Sequence, residues 1–182
     1  MDRRDFLRVG MAGLVGVTAP TLLTAGEAYA ANGGQWRVSF EQAHTHERFS
    51  GVYRVGDRYL PEAFAKINRA LRDHRTGEMF PMDPHVIDIM SMVQRKTGRG
   101  NKLHVLSGYR SPKTNNMLRG KTRGVAKNSF HMYGQALDLR MDNVSAGRVR
   151  SAARSLKAGG VGYYPRRNFT HVDTGDVRTW TS

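Results

Sequence analysis

The order of the apolar patterns along the chain restricts the fold more than any other feature of this sequence. Helical spacing begins near Pro61 and again at Asp83, where an N-cap residue is followed by Pro84 and an apolar stripe from Val86 to Val93. Short apolar runs typical of strands come mostly after these helices, without the repetition of βαβ units. The predicted fold is therefore α+β, with a small antiparallel sheet packed on helices.

Two further helices and several short strands complete the predicted domain. The helices begin near Ser111 and Asn143, and the strands cover 51–55, 103–106, 135–140, 161–164 and 170–173. The segment 31–50 is polar and contains one strand-like alternation over 36–40, so it is predicted to be an N-terminal arm of low internal order. Residues 51–182 are predicted to form a single domain and a monomer.

The first 30 residues have the features of an export signal. Arg3 and Arg4 come before an uncharged stretch over 9–26, and small residues at Ala28 and Ala30 suit a signal peptidase. The paired arginines followed by Phe-Leu resemble the twin-arginine signal, with the general secretory route as the alternative. We therefore expect a mature protein that begins near Ala31 and acts in the periplasm without stable membrane insertion.

Charge and cysteine content limit the partners and the chemistry. The chain has 29 Lys and Arg against 15 Asp and Glu, and no cysteine. A disulfide framework and a thiol nucleophile are therefore excluded, and any metal must be bound by His, Asp or Glu. A basic exported protein without a nucleic-acid motif suits phospholipid headgroups or the carboxylate-rich stem peptides of peptidoglycan. The basic loop Arg119–Lys127 could guide such a polymer or only keep the protein soluble.

One histidine and acid pattern is consistent with a metal site. Gly134 permits a turn after His131, and Asp138 shares a strand face with Ala136. His171 lies on the last predicted strand. If the two strands are neighbours, the side chains of His131, Asp138 and His171 converge, and this donor set is typical of a catalytic zinc with one open position. The residues alone also allow three ordinary polar side chains on an exposed sheet face.

The motifs around these residues resemble a known family. The segment 129–138 (SFHMYGQALD) resembles the S-x-H-x-x-G-x-A-x-D motif of the M15 zinc peptidases, which have a fold related to hedgehog proteins and D,D-peptidases. The segments 107–112 (SGYRSP) and 171–173 (HVD) occur in the family's order. The resemblance covers roughly 83–182 and is strongest to exported murein endopeptidases. It implies that His131, Asp138 and His171 bind Zn²⁺ and that Arg110 holds the substrate or the oxyanion.

The chain departs from the family pattern at the general base. Many members have an acid three residues before the last ligand, where this chain has Asn168. We assign proton transfer to Asp173, with orientation of the His171 imidazole as the alternative role. Ser129 is predicted to contact substrate, or only to cap its turn.

The resemblance implies a zinc-dependent murein endopeptidase that hydrolyses peptide cross-links in peptidoglycan. Two alternatives remain at this point. The first is a D,D- or L,D-carboxypeptidase that trims stem peptides. The second is a wall-binding module that keeps the zinc site without catalysis, because Asn168 replaces the expected acid.

Overall fold

The computed structural model describes residues 34–121 and 124–182. The export signal predicted over 1–30 lies outside these ranges. Within them, no helix combines the length and the apolar character that crossing a bilayer requires.

The N-terminal part of the described chain is a strand inside the sheet. In β1 (Gln35–Gln42) the side chains of Trp36, Val38 and Phe40 alternate toward the core, and each is at most 3% exposed. β1 pairs antiparallel with β2 (Arg48–Val55) and parallel with β4 (Leu103–Ser107). The prediction of low internal order for 31–50 is therefore wrong for the described residues, because the alternation belongs to a long paired strand.

All the described strands belong to one eight-stranded sheet with the order β3-β2-β1-β4-β5-β7-β6-β8. The other strands are β3 (Arg58–Tyr59), β5 (Ala136–Met141), β6 (Gly160–Tyr164), β7 (Phe169–Asp173) and β8 (Arg178–Thr181). Neighbours run antiparallel except β1 with β4 and β6 with β8. Mixed helix and strand content is confirmed. The prediction of a small antiparallel sheet is inexact, because β1 and β8 enlarge the sheet and supply its two parallel pairs.

The described residues form four α-helices, α1 (Pro61–Ala70), α2 (Pro84–Thr97), α3 (Pro112–Lys121) and α4 (Ala146–Arg154). Of these, α1, α2 and α4 pack on the sheet. The helices α1, α2 and α3 begin with proline, whose missing N–H has no helical partner at that position. The predicted N-cap of α2 is confirmed, since Asp83 Oδ1 accepts a 2.9 Å hydrogen bond from the His85 N–H. α4 begins later than predicted, because Ser145 caps it.

The apolar stripe of α2 forms the centre of the core. Val86, Ile87, Met90 and Val93 have no exposed surface, and each such side chain contributes about 1.5–3 kcal/mol on burial. Polar residues on the same helix fix β1. The Gln94 side chain accepts from the Ser39 N–H at 3.1 Å and donates to the Ser39 carbonyl at 2.7 Å. The sheet that carries the candidate site is therefore held rigidly against α2.

Asp88 on α2 joins the helix to β2 and β3. Its carboxylate accepts hydrogen bonds from the hydroxyls of Tyr53 at 2.8 Å and Tyr59 at 2.6 Å, and from Arg54 Nη1 at 2.8 Å. Arg54 also contacts Asp57 at 3.2 Å, but Asp57 is almost fully exposed. The buried donors therefore depend on the carboxylate of Asp88 and not on that of Asp57.

We predict that Asp88→Ala lowers the free energy of unfolding by about 3 kcal/mol, because it leaves the buried Tyr53 hydroxyl without its carboxylate acceptor and leaves Arg54 with only the exposed carboxylate of Asp57. Asp57→Ala is the matched control, since it removes the exposed partner of the same arginine, and we expect a change within about 0.5 kcal/mol. Urea denaturation followed by circular dichroism measures both. Equal losses in the two variants would contradict this account.

Candidate active site

The pairing of β5 with β7 brings the predicted metal ligands together. Asp138 lies directly opposite His171 in the antiparallel register. His131 approaches from a 3-10 helix, Phe130–Tyr133, that comes just before β5. One possible ligand atom from each of the three residues lies within 4.8 Å of the other two. The two strands are neighbours, which was the condition for convergence, and the structure places the three side chains in one cluster.

Gly134 makes the turn between His131 and β5. Its φ of 65° lies in the left-handed region, and a Cβ at this position would collide with the backbone oxygen of Pro81. The Gly134 carbonyl accepts a 2.9 Å hydrogen bond from the Asp83 N–H. The 3-10 helix that carries His131 is thus fixed to the start of α2.

Only one tautomer of His131 fits its surroundings. Nδ1 lies 2.8 Å from the Gly108 carbonyl oxygen, which can only accept, so Nδ1 carries the proton. Nε2 lies 3.4 Å from Asp138 Oδ1 and directs a lone pair toward the cluster. Burial lowers the pKa of His131 and outweighs the opposite effect of Asp138. The imidazole is therefore neutral, as a metal ligand must be.

Asp138 is shared by the two imidazoles. Its Oδ1 lies 2.9 Å from His171 Nδ1. Burial alone would raise the pKa of Asp138, but the imidazoles of His131 and His171 lower it well below its ordinary value. Burial alone would lower the pKa of His171, whereas its hydrogen bonds with Asp138 and Asp173 raise it to about 9. The cluster therefore contains a firmly ionised carboxylate.

Asp173 is completely buried, and its carboxylate is fully occupied. Arg178 donates to it at 2.7 and 3.0 Å, and the N–H groups of Gly160 and Gly175 donate at 3.2 and 2.9 Å. Asp173 Oδ2 also lies 3.0 Å from His171 Nε2. Burial alone would raise the pKa of Asp173, but the hydrogen bonds with His171 and Arg178 lower it well below its ordinary value. Of the two roles left open by the sequence, this geometry favours orientation of His171 over proton transfer.

Arg110 extends into the cluster from the loop after β4. Nη2 lies 3.8 Å from Asp138 Oδ2 and donates to Ser107 Oγ at 3.3 Å, and Nη1 donates to Asn115 Oδ1 at 3.3 Å. Burial lowers the pKa of Arg110, and Asp138 partly opposes this shift. The buried Nε has no hydrogen-bond partner among the described residues. One donor of this guanidinium is thus unsatisfied among the described residues.

Asp73, which the sequence analysis does not identify, holds the loop that carries Arg110. Its Oδ2 accepts from the Ser111 N–H at 2.9 Å and from the Ser111 hydroxyl at 2.7 Å. The same hydroxyl accepts from the Thr114 N–H at 3.2 Å and so caps α3, as predicted for Ser111. Asp73 lies in a turn 38 residues before Ser111, and no local sequence pattern relates the two.

The cluster lies in a cleft of about 320 Å³ with an aromatic wall. The rings in this wall belong to Phe130, Tyr164, Phe169 and Trp180. The Tyr164 and Phe169 rings stack with centroids 4.4 Å apart, and Trp180 Nε1 donates to the Tyr164 hydroxyl at 3.1 Å. Trp180 packs on Gly162, where a Cβ would come within 2.5 Å of the indole. The wall depends on β8, which was not predicted because it contains one large apolar residue.

Ser129 and the end of the basic loop also line the cleft. Gly124, Val125 and Ala126 line the cleft, so this loop borders the candidate site. Ser129 also lines it, and its side chain makes no capping hydrogen bond to the 3-10 helix that follows. The capping alternative for Ser129 is therefore wrong.

Asn168 does not take the place of the expected acid. It has a φ of 51° and ends a short 3-10 helix, Pro165–Arg167, between β6 and β7. Arg167 and Phe169 on either side of it line the cleft, but Asn168 lies outside the lining. The residue is therefore unsuited to proton transfer both by its chemistry and by its position.

The donor set of this cluster fits a zinc ion. Two imidazole nitrogens and one carboxylate oxygen are typical ligands of a catalytic zinc, which keeps a position open for water. Each imidazole has its other nitrogen fixed, on the Gly108 carbonyl for His131 and on the Asp173 carboxylate for His171. Such contacts orient the rings of metal-bound histidines.

Comparison with known proteins shows the family of this chain. Residues 30–180 match the family model described as peptidoglycan L,D-endopeptidase MepK. The chain is 38% identical to the peptidoglycan L,D-endopeptidase MepK of Escherichia coli K12 over 182 residues, 99% of this chain and 100% of that protein.

Two other relatives extend the comparison. The probable peptidoglycan L,D-endopeptidase MepK of Haemophilus influenzae is 44% identical over 144 residues, 79% of this chain and 77% of that protein. The zinc D-Ala-D-Ala carboxypeptidase of Streptomyces albus G is 30% identical over 126 residues, 65% of this chain and 48% of that protein. The resemblance to the M15 peptidases is thus confirmed, and the chain belongs to the MepK family of these enzymes.

Proposed function

We propose that this protein is a zinc-dependent endopeptidase that hydrolyses L,D peptide cross-links between the stem peptides of peptidoglycan. The observation that carries the proposal is the cluster of His131, Asp138 and His171 in a cleft beside the buried guanidinium of Arg110. The bond type follows from the names of the relatives that match nearly the whole chain.

We infer that His131, Asp138 and His171 hold the zinc. When bound, zinc polarises the scissile carbonyl and makes water a nucleophile near neutral pH. The protein supplies a neutral imidazole at His131, a firmly ionised carboxylate at Asp138, and a second imidazole whose orientation is set by Asp173.

Arg110 stabilises the negative charge that develops on the carbonyl oxygen in this proposal. Its guanidinium is largely buried, held by Ser107 and Asn115, and has an Nε donor without a partner among the described residues. A fixed cation at low dielectric stabilises an oxyanion more strongly than a mobile one in water. Ser129 supplies a further hydroxyl to the substrate in the same cleft.

We assign Asp173 the role of a positioning residue. All its contacts are with donors that hold it in place, and it does not reach the cleft. The predicted basic loop Arg119–Lys127 begins in the last turn of α3, which ends at Lys121, and Gly124–Ala126 line the cleft. In this proposal the positive charge of the segment attracts the acidic polymer by long-range electrostatics.

The carboxypeptidase alternative has one observation in its favour. The Streptomyces relative acts as a D-Ala-D-Ala carboxypeptidase by name, although the match covers 48% of that protein. Product analysis separates the alternatives, because an endopeptidase releases peptide monomers, a carboxypeptidase releases a free amino acid, and a wall-binding module releases neither.

We predict that the mature protein binds about one zinc per chain and converts L,D-cross-linked muropeptide dimers into monomers. His131→Ala and His171→Ala are expected to lose both the metal and the cleavage while they keep the fold. Elemental analysis, circular dichroism and chromatography of the products measure the three properties.

His85→Ala is the control for this experiment, because His85 is exposed on the first turn of α2, outside the cluster. It should keep zinc and activity. Full zinc content in both cluster variants would show that the ligands are assigned wrongly, and release of a free amino acid would favour the carboxypeptidase.

The proposed role of Asp173 predicts a defect in metal binding. Asp173→Asn should weaken zinc affinity by about 10- to 100-fold, and added zinc should restore most of the cleavage. Loss of a general base would instead lower kcat by about 10²- to 10⁴-fold at saturating zinc. Zinc titration together with kcat at saturating metal distinguishes the two, and unchanged affinity with a large fall in kcat would restore Asp173 as the base.

The site of action in this proposal is the periplasm, reached in the folded state by the twin-arginine route. The proposal is supported by Arg3 and Arg4 followed by Phe-Leu. Replacement of both arginines by lysine should leave the precursor in the cytoplasm, as fractionation and immunoblotting would show. Normal export from a strain without the twin-arginine translocase would contradict this route.

A further inference from the structure

The cleft contains one guanidinium that is not paired with a carboxylate. Arg110 lies beside Asp138 and Arg178 is held by Asp173. Arg167 also lines the cleft and is exposed, and no carboxylate lies within ion-pair distance of it among the described residues. Among the three arginines that line the cleft in the described part of the chain, Arg167 is the one available to bind an anionic group of a substrate.

The turn that carries Arg167 is fixed on both sides. It joins β6 to β7, and Tyr164 at the end of β6 stacks on Phe169 at the start of β7 with ring centroids 4.4 Å apart. The Asn168 N–H closes the turn on the Pro165 carbonyl at 3.2 Å. A side chain on such a rigid turn loses less freedom when it binds.

The topology places Arg167 and Arg110 on opposite sides of the metal cluster. Arg110 follows β4, on one side of β5, whereas Arg167 precedes β7, on the other side. His171 and Phe169 are two residues apart on β7, about 7 Å along the strand, and Arg167 is two residues further. A substrate with its carbonyl near Arg110 would therefore extend its other side toward Arg167.

The chemistry of an L,D cross-link supplies an anion at that point. In an L,D bond, the carbon that bears the scissile nitrogen has the D configuration. When this nitrogen belongs to a side chain, its carbon is a stereocentre only if it bears a further substituent. In a diamino dicarboxylic acid that substituent is a carboxyl group, which the cross-link leaves free. The carboxylate is then attached to the same carbon as the scissile nitrogen.

We propose that Arg167 binds this free carboxylate and makes the enzyme select cross-links in which it is not amidated. The inference rests on the proposed endopeptidase function. It defines a specificity residue on the amine side of the scissile bond, separate from Arg110 on the carbonyl side.

The test uses two cross-linked muropeptide dimers that differ only in this group, a carboxylate in one and a primary carboxamide in the other. Arg167→Ala should raise KM for the carboxylate dimer by about tenfold, as expected for a partly exposed charge-assisted hydrogen bond. Its kcat should stay within about twofold of wild type, and its KM for the carboxamide dimer should not change. The preference of the wild-type enzyme for the carboxylate is then lost.

Arg166→Ala is the matched control, because Arg166 is exposed in the same 3-10 helix but does not line the cleft. It should behave as wild type. An equal rise of KM in both variants would mean that only general positive charge matters, and equal use of the two dimers by wild type would overturn the proposal.

A titration without turnover separates this inference from the proposed function. The ligand is the product monomer that bears the released amine and the free carboxylate on the same carbon. It is titrated into the zinc-loaded protein, and binding is measured by calorimetry. Weaker binding in Arg167→Ala than in Arg166→Ala supports the subsite whether or not dimers are cleaved. Equal binding overturns it even if the wild-type enzyme cleaves cross-links.

Discussion

The candidate site depends on the antiparallel register between β5 and β7. This register places Asp138 opposite His171 and leaves Leu137 and Val172 on the core side. A shift by one residue would turn both polar side chains toward the hydrophobic core and the apolar ones toward the cleft, so the packing of the core and the geometry of the site are set together. The hydrophobic core thereby fixes the positions of two of the three inferred metal ligands.

A line of alternating charge runs through this register. Arg110, Asp138, His171, Asp173 and Arg178 follow one another with successive contacts of 3.8, 2.9, 3.0 and 2.7 Å. Buried charges are costly unless each is paired and hydrogen-bonded, and here each carboxylate lies between two positively charged or proton-donating groups. The same arrangement lowers the pKa of both carboxylates and raises that of His171 to about 9. Arg178 thus acts on the site through Asp173, although it belongs to the last strand of the sheet.

Motif residues could be identified from the sequence because their spacing reflects local geometry. His131 is separated from β5 by a glycine turn, and Asp138 follows on that strand, so both could be found before the fold was known. The helices with clear caps, such as α2 after Asp83, were predicted for the same reason. Each of these predictions uses residues that are close in the chain.

The features that were not predicted depend on contacts between distant segments. β1 has the alternation of a strand, but its place beside β4 follows from packing on α2. β8 has one large apolar residue, Trp180, and its value lies in packing on Gly162. The choice between two roles for Asp173 needed the position of Arg178, five residues later in the chain but on a different strand.

The turn between β6 and β7 gives a physical reason for the departure from the family pattern. Asn168 has a φ of 51°, a conformation that asparagine adopts more readily than longer side chains do. A glutamate at this position would cost about 1 kcal/mol or more of backbone strain. The stacked rings of Tyr164 and Phe169 hold the turn in this form. The contribution of the turn to the cleft is therefore the positive charge of Arg167, in place of the acid that many members of the family carry there.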